Sequence, residues 1–178
     1  RSIKPVTYDK EWVYDISVAD DENFVGGFGA VICHNSIDEA LTGDCSNINV
    51  TVHQDGSIAV EDDGRGIPVD LHPKFKVPAV QVVMTKLHAG GKFDRDTYKV
   101  AGGLHGVGIS VVNALSEWLE AYISRDGQVF YQKYQKGFPV ADMKVIGKRK
   151  TSGTKVAFYP DSNVFGKRKF NFDILTER

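Results

Sequence analysis

Tight Asp-Gly turns between alternating segments constrain the fold of this chain more than any other local feature. Asp55-Gly56 and Asp126-Gly127 each lie between two runs in which apolar and polar residues alternate. This pattern is typical of antiparallel strands joined in a hairpin. The strands predicted in this way, with one further strand near the end, cover residues 47–53, 57–62, 117–124, 128–134 and 154–159.

Helical patterns fall between and around these hairpins. Residues 77–87 have helical periodicity with Pro78 in the first turn, and residues 106–115 follow a glycine-rich stretch. Shorter helices are predicted for residues 36–41, from the capping pattern of Ser36 and Glu39, and for residues 170–178. Hairpins with helices on one face predict an α+β fold, a two-layer sandwich with a mixed or antiparallel sheet.

Composition excludes some classes of protein and leaves others open. No apolar run reaches the roughly 20 residues needed to span a bilayer, and no signal peptide is visible, so a cytoplasmic protein without a membrane partner is expected. Position 1 is Arg rather than Met, which predicts a piece of a longer chain. With 22 basic and 23 acidic residues, charge alone does not indicate nucleic-acid binding. The basic runs 148–150 and 167–169 are open to phosphate contact or to a role as solvated loops.

Two features suggest a nucleotide site. Glycines before a helix allow backbone amides to approach an anion, so residues 101–108 are predicted to hold phosphates, although a tight loop that packs a helix has the same pattern. Asp62 ends a buried strand, where its carboxylate needs a partner. That partner is either the amine of adenine or the backbone of the next loop. Lys92, in the glycine-rich stretch 88–103 that resembles a lid, is either a phosphate ligand or a solvated lysine.

The tripeptide His34-Asn35-Ser36 has a different chemistry. The Asn35 side chain can attack its own carbonyl and break the bond to Ser36, His34 can polarise that carbonyl, and the Ser36 hydroxyl can carry an acyl group. A polar turn at the end of a strand is the alternative for the tripeptide alone. With the preceding runs 13–18, 22–25 and 29–35, however, the segment of about residues 11–36 resembles the closing motifs of an intein. Glu22 stands where inteins usually carry His.

The remainder of the chain contains six ordered motifs, which are residues 36–40, 62–68, 87–93, 102–108, 111–116 and 153–154. With these motifs, residues 36–178 resemble the ATPase domain of the DNA gyrase B family of type II topoisomerases. The sequence His-Ala-Gly-Gly-Lys-Phe within 87–93 narrows the resemblance to gyrase or topoisomerase IV. It disfavours a chaperone or a histidine kinase of the same superfamily. The expected domains are therefore an all-β intein piece at 1–35 and an incomplete ATP-binding domain at 36–178.

The resemblance implies a role for each matched residue. Asp62 is expected to accept the adenine amine, supported by Thr154 and a bridging water, while Gly66 and Ile67 line the adenine pocket. Pro68 shapes that pocket, Arg65 flanks it and Tyr98 lies near the nucleoside. The triphosphate is expected to contact Lys92 and the backbone of Leu104, His105, Gly106, Val107 and Gly108.

One departure from the family pattern carries information. The family has a general-base Glu and, four residues later, an Asn that binds Mg²⁺, directly before the Ser-Ile-Asp-Glu segment. Here Asn35 has the position of that Asn, but the residue four before it is Val31, which cannot act as a base. An intein inserted before Ser36 explains this, with the host Glu and metal-binding Asn upstream and no metal ligand in this chain.

The resemblance also implies cofactors, partners and alternatives. ATP and Mg²⁺ are the expected cofactors, and DNA and the gyrase A protein, in a heterotetramer of two A and two B chains, are the expected partners. Homodimerisation is expected through an arm upstream of residue 1. The alternatives are the ATPase chain of topoisomerase IV and a self-processing intein fragment whose remaining sequence is inactive cargo.

Overall fold

One antiparallel sheet forms the centre of the fold. The computed structural model describes residues 43–87 and 108–166. The strands in those residues are β1 Ile48–Val52, β2 Ile58–Asp62, β3 Ser116–Arg125, β4 Gln128–Gln135, β5 Phe138–Pro139, β6 Lys144–Lys148 and β7 Gly153–Pro160. Their order is β1-β2-β7-β3-β4-β5, with β6 also paired to β4. Each of these pairings is antiparallel.

The two predicted hairpins are confirmed, and their turns differ. In the first, the amide of His53 donates to the carbonyl of Ser57 at 2.8 Å, and Gly56 has φ +90° in the three-residue loop between them. In the second, Asp126 and Gly127 have φ +52° and +77°, the left-handed pair that a two-residue turn requires. Strand β7 lies between the hairpins and joins them into one sheet.

Two helices pack on one face of the sheet, as the α+β prediction requires. They are α1 Ala79–Thr85 and α2 Gly108–Ala114. Val80 and Met84 of α1 and Val112 of α2 belong to the same buried cluster as the central strands. The strand residues in that cluster alternate along β2, β7 and β3, and they include Ile58, Val60, Val156, Phe158, Leu119, Ala121 and Ile123. Burial of each such side chain contributes roughly 1.5–3 kcal/mol, so this face stabilises the two layers.

The bounds of α1 correct the sequence prediction. The helix is shorter than residues 77–87, because Pro78 precedes its first turn with ψ 138° and Lys86 has an extended backbone. The prediction for residues 106–115 is confirmed for residues 108–114. The predicted helices at 36–41 and 170–178, the loop at 88–103 and the all-β piece at 1–35 lie outside the described residues.

Three short elements of the described residues escaped the sequence analysis. Strand β5 has two residues, and β6 is exposed along its whole length, so neither carries an alternating pattern. The third, α3 Ser162–Phe165, has four residues and depends on the Asp161 side chain, which accepts from the amide of Asn163 at 2.9 Å. Within the described residues no helix is long and apolar enough to cross a membrane.

Asp63 connects the end of β2 to the chain that enters β1. Its Oδ1 accepts from the amides of Ser46 at 2.7 Å and Asn47 at 2.8 Å, and its Oδ2 accepts from Asn47 Nδ2 at 2.7 Å. Burial acts to raise the pKa of Asp63, but the hydrogen bonds from Asn47 and Ser46 outweigh it and lower the pKa from 3.8 to about 2. Folding therefore favours the ionised carboxylate.

We expect Asp63 to contribute to the acid sensitivity of the fold. Because its folded pKa lies below its unfolded pKa, its contribution is present above about pH 4 and is lost as the pH falls from about 4 toward 2. Asp63→Asn should lower the free energy of unfolding at about pH 7 and flatten its fall between about pH 5 and pH 2, measured by urea denaturation. The exposed Asp142→Asn is the control and should retain the wild-type slope. An unchanged slope in Asp63→Asn would contradict the assignment.

Candidate functional site

The register of β2 and β7 brings the two predicted base-binding residues together. Asp62 and Thr154 are direct cross-strand partners, and Ile123 of β3 is the next residue in the same row. Asp62 and Thr154 are each 8% exposed, so a carboxylate and a hydroxyl lie side by side in a nearly buried position. They are 92 residues apart in sequence, and they become neighbours because β2 pairs with β7.

The Asp62 carboxylate is fixed by backbone amides. Its Oδ1 accepts from the amide of Gly64 at 3.1 Å and from the amide of Thr154 at 3.1 Å. The hydrogen bond to the next loop, which the sequence left as an alternative, is therefore present. A carboxylate offers about four acceptor positions, so a bond to the loop does not exclude an amine-bearing ligand.

Thr154 also determines the course of the loop that follows Asp62. Its Oγ1 accepts from the amide of Ile67 at 3.3 Å, and Ile67 packs against the buried cluster. Pro68 follows it in sequence and is exposed. Arg65 is exposed, with its Nε 3.3 Å from Asp44 Oδ2. The predicted pocket residues 65–68 therefore belong to one loop beside the Asp62 carboxylate.

Two glycines allow this loop and the strand end to approach closely. Gly66 has φ +76°, and a Cβ there would lie 2.8 Å from the carbonyl oxygen of Ser124. Gly153 has φ +150°, and a Cβ there would overlap the carbonyl oxygen of Asp62. The sequence motifs contain both residues, and the structure gives the physical reason for glycine: no larger side chain fits between these backbones.

Arg125 is a site residue that the sequence analysis missed. Its Nη1 donates to the carbonyl oxygen of Gly66 at 2.8 Å, from the last residue of β3. In sequence it is an ordinary charged residue before the Asp126-Gly127 turn. Only the pairing of β3 with β7 brings it to the loop, so no local signal could have identified it.

Gly108 is the first described residue of α2, and it is the last residue of the motif 101–108 that the sequence predicts to hold phosphates. The buried Asn113 holds this helix, since its Nδ2 donates to the Met84 carbonyl near the end of α1 at 2.8 Å. Nine other predicted site residues lie outside the described residues: His34, Asn35, Ser36, Lys92, Tyr98, Leu104, His105, Gly106 and Val107.

The structure describes one of the two basic runs. Arg149 of the run 148–150 donates to Glu61 Oε1 at 3.0 Å, which is a contact within the sheet face, and residues 167–169 lie outside the described part. No group of three or more potential metal-ligating side chains occurs in residues 43–87 and 108–166.

Comparison with known proteins gives a consistent result. The model of the family described as histidine kinase-, DNA gyrase B-, and HSP90-like ATPase matches residues 30–163. The DNA gyrase B protein of Thermotoga maritima is 56% identical over 147 residues, which cover 83% of this chain and 23% of that protein. The DNA gyrase B protein of Archaeoglobus fulgidus is 47% identical over 184 residues, which cover 92% of this chain and 29% of that protein.

A solved structure of a gyrase B ATPase domain is similar to this chain in fold and in sequence. The crystal structure of the 43K ATPase domain of Thermus thermophilus gyrase B, in complex with an aminocoumarin, superposes with a TM-score of 0.70 at 37% identity. The match covers 82% of this chain and 36% of that one. The chain spans less than a third of the length of the curated relatives named above.

The close approach of the Gly153 and Asp62 backbones predicts that a side chain at position 153 destabilises the fold. Gly153→Ala should lower the free energy of unfolding by more than about 2 kcal/mol, because the methyl group overlaps the Asp62 carbonyl at a backbone angle that favours glycine. Gly147→Ala on β6 has open space and should stay within about 0.5 kcal/mol of wild type. Equal stabilities of the two variants in urea denaturation would refute the close approach.

Proposed function

The chain belongs to the family of histidine kinase-, DNA gyrase B- and HSP90-like ATPases, and we propose that residues 36–178 are the ATP-binding part of a DNA gyrase B protein. The observation that carries this proposal is the nearly buried pair of Asp62, at the end of β2, and Thr154, at the start of β7. A fixed carboxylate acceptor beside a hydroxyl fits the exocyclic amine of adenine, which is a hydrogen-bond donor.

The loop and the helix supply the rest of the proposed site. Gly66 and Ile67 line the adenine pocket, Pro68 shapes it and Arg65 flanks it. Gly108 of α2 is the last residue of the motif proposed to hold the triphosphate. The proposed ligands outside the described residues are Lys92, Tyr98, Leu104, His105, Gly106 and Val107.

In the proposed reaction, ATP binding and hydrolysis drive DNA strand passage and negative supercoiling by the assembled gyrase in the cytoplasm. DNA, a gyrase A protein and a second copy of the B protein are the proposed partners. Catalysis of phosphoryl transfer to water rests on positioning and on charge stabilisation, for which Mg²⁺ would supply positive charge on the phosphates. The proposed ligand for that metal is an Asn in the host segment upstream. The ATPase chain of topoisomerase IV is the nearest alternative.

We further propose that residues 1–35 are the end of an intein that leaves by splicing at Asn35 and Ser36. The intein-like motifs end at Asn35, and the family match begins at residue 30, close to the same position. Val31 occupies the position of the general base, which supports an upstream host segment as the source of that Glu. Splicing would join that segment to Ser36 and complete the ATPase.

The adenine assignment predicts a reversal of base preference. In Asp62→Asn the side-chain oxygen can still accept from Gly64 and Thr154, while the amide group presents a donor to the base. ATP affinity should fall by about tenfold to a hundredfold, the value of one charge-assisted hydrogen bond. ITP, which carries a carbonyl in place of the amine, should bind the variant better than it binds wild type. Calorimetric titration measures the affinities for ATP and for ITP. An unchanged ATP affinity in Asp62→Asn would contradict the proposal.

The splicing assignment predicts a change in mass. The protein expressed from its complete reading frame should yield a species that lacks the intein and has the host segment joined to Ser36. Asn35→Ala should abolish that species, because the variant has no side-chain amide to attack the carbonyl. Ser162→Ala, whose hydroxyl lies far along the chain on α3, should splice normally.

ATP turnover should appear only in the spliced product, measured by phosphate release. An unprocessed mass in the wild type would overturn the splicing assignment and leave the nucleotide assignment standing. Turnover by the unspliced chain would overturn the upstream origin of the general base.

A further inference from the structure

Arg125, the last residue of β3, contacts the loop of residues 65–68 that is proposed to line the adenine pocket. No other residue of β3 is among the proposed base contacts. Its Nη1 lies 2.8 Å from the carbonyl oxygen of Gly66, which is 59 residues away in sequence. The side chain is 32% exposed, so the bond is partly shielded from water. A guanidinium donor makes a stronger bond to a carbonyl than a neutral donor does.

The hydrogen bond from Arg125 is accepted by a glycine, the residue type whose backbone conformation is least restricted. Gly66 has φ +76° and no Cβ, so the loop has many alternative conformations available at this position unless a contact selects one. Its neighbour Ile67 is held separately, through its amide to Thr154 Oγ1 at 3.3 Å. The two bonds face different strands: Gly66 is joined to β3 and Ile67 to β7. Together they determine the plane of the peptide between them.

The second contact of Arg125 is weaker. Its Nε lies 3.7 Å from Asp126 Oδ2, and the Asp126 side chain is 80% exposed. An exposed ion pair of this length contributes little. The bond to Gly66 is therefore the contact through which Arg125 acts on the loop.

We propose that Arg125 is a positioning residue for base recognition, which holds the Gly66 peptide so that the pocket between this loop and Asp62 fits a six-amino purine. The inference rests on the proposed nucleotide function. Arg125 acts through Gly66 and not on the phosphates, so its removal should affect selectivity for the base more than general affinity for a nucleotide.

The test compares three arginine variants in the protein expressed from its complete reading frame. Arg125→Met keeps an unbranched apolar side chain of the length of the arginine stem and removes the donors, and Arg125→Lys restores one charged donor. Arg149→Met is the matched control, since Arg149 also makes a 3.0 Å bond, to Glu61, but is not joined to this loop. Dissociation constants for ATP and ITP are measured by calorimetry, and melting temperatures are measured without nucleotide.

We expect Arg125→Met to lose about tenfold in ATP affinity and to lose most of the preference for ATP over ITP. Arg125→Lys should recover part of both, and Arg149→Met should match wild type. Equal loss of ATP and ITP affinity in Arg125→Met, with a lowered melting temperature, would make Arg125 a purely structural residue and overturn the inference. Wild-type ATP affinity in Arg125→Met would also overturn it.

The outcomes separate this inference from the proposed function. If wild type binds ATP, Asp62→Asn loses it and Arg125→Met does not, only the role of Arg125 is wrong. If wild type fails to bind ATP, or if Asp62→Asn binds it normally, the proposed function fails and the positioning role fails with it.

Discussion

The pairing of β2 with β7 is the constraint on which the rest of this structure depends. Its register places Thr154 opposite Asp62, and the glycine before Thr154 lets the two strand ends approach without a side chain between them. Because β7 also pairs with β3, the same register brings Ile123 and the end of β3 to the site. A shift of β7 by one residue would turn Thr154 to the face opposite Asp62.

Backbone amides bind both carboxylates around this pairing. Asp62 accepts from the amides of Gly64 and Thr154, and the next carboxylate, Asp63, accepts three donors from the entrance of β1. Adjacent carboxylates thus have separate tasks: Asp62 lies toward the proposed ligand, and Asp63 connects β1 to the loop. This separation follows from the alternation of side chains along an extended backbone.

A good part of this arrangement was predictable. The hairpins followed from alternation around Asp126-Gly127 and Asp55-Gly56, and α1 and α2 followed from helical periodicity, with errors at the ends of α1 where Pro78 and an extended Lys86 set the limits. Strand β6 was not predictable, because an exposed edge strand has no buried face to produce alternation. Helix α3 was missed because one capping side chain outweighs the weak preference of four residues.

The sequence by itself determined the two hairpins, the helical segments within 77–87 and 106–115, the glycines at Gly66 and Gly153, and the family motifs, since each depends on residues close together in the chain. Only the tertiary structure decided that Asp62 shares its Oδ1 between Gly64 and Thr154, and that Arg125 bonds to Gly66. Strand order is set by the burial of a common core face, a sum over many side chains, and it brings together residues 59 to 92 positions apart. A local sequence pattern does not contain this total burial, so it cannot predict the strand order. The polar contacts of the site can therefore be identified only in the assembled sheet.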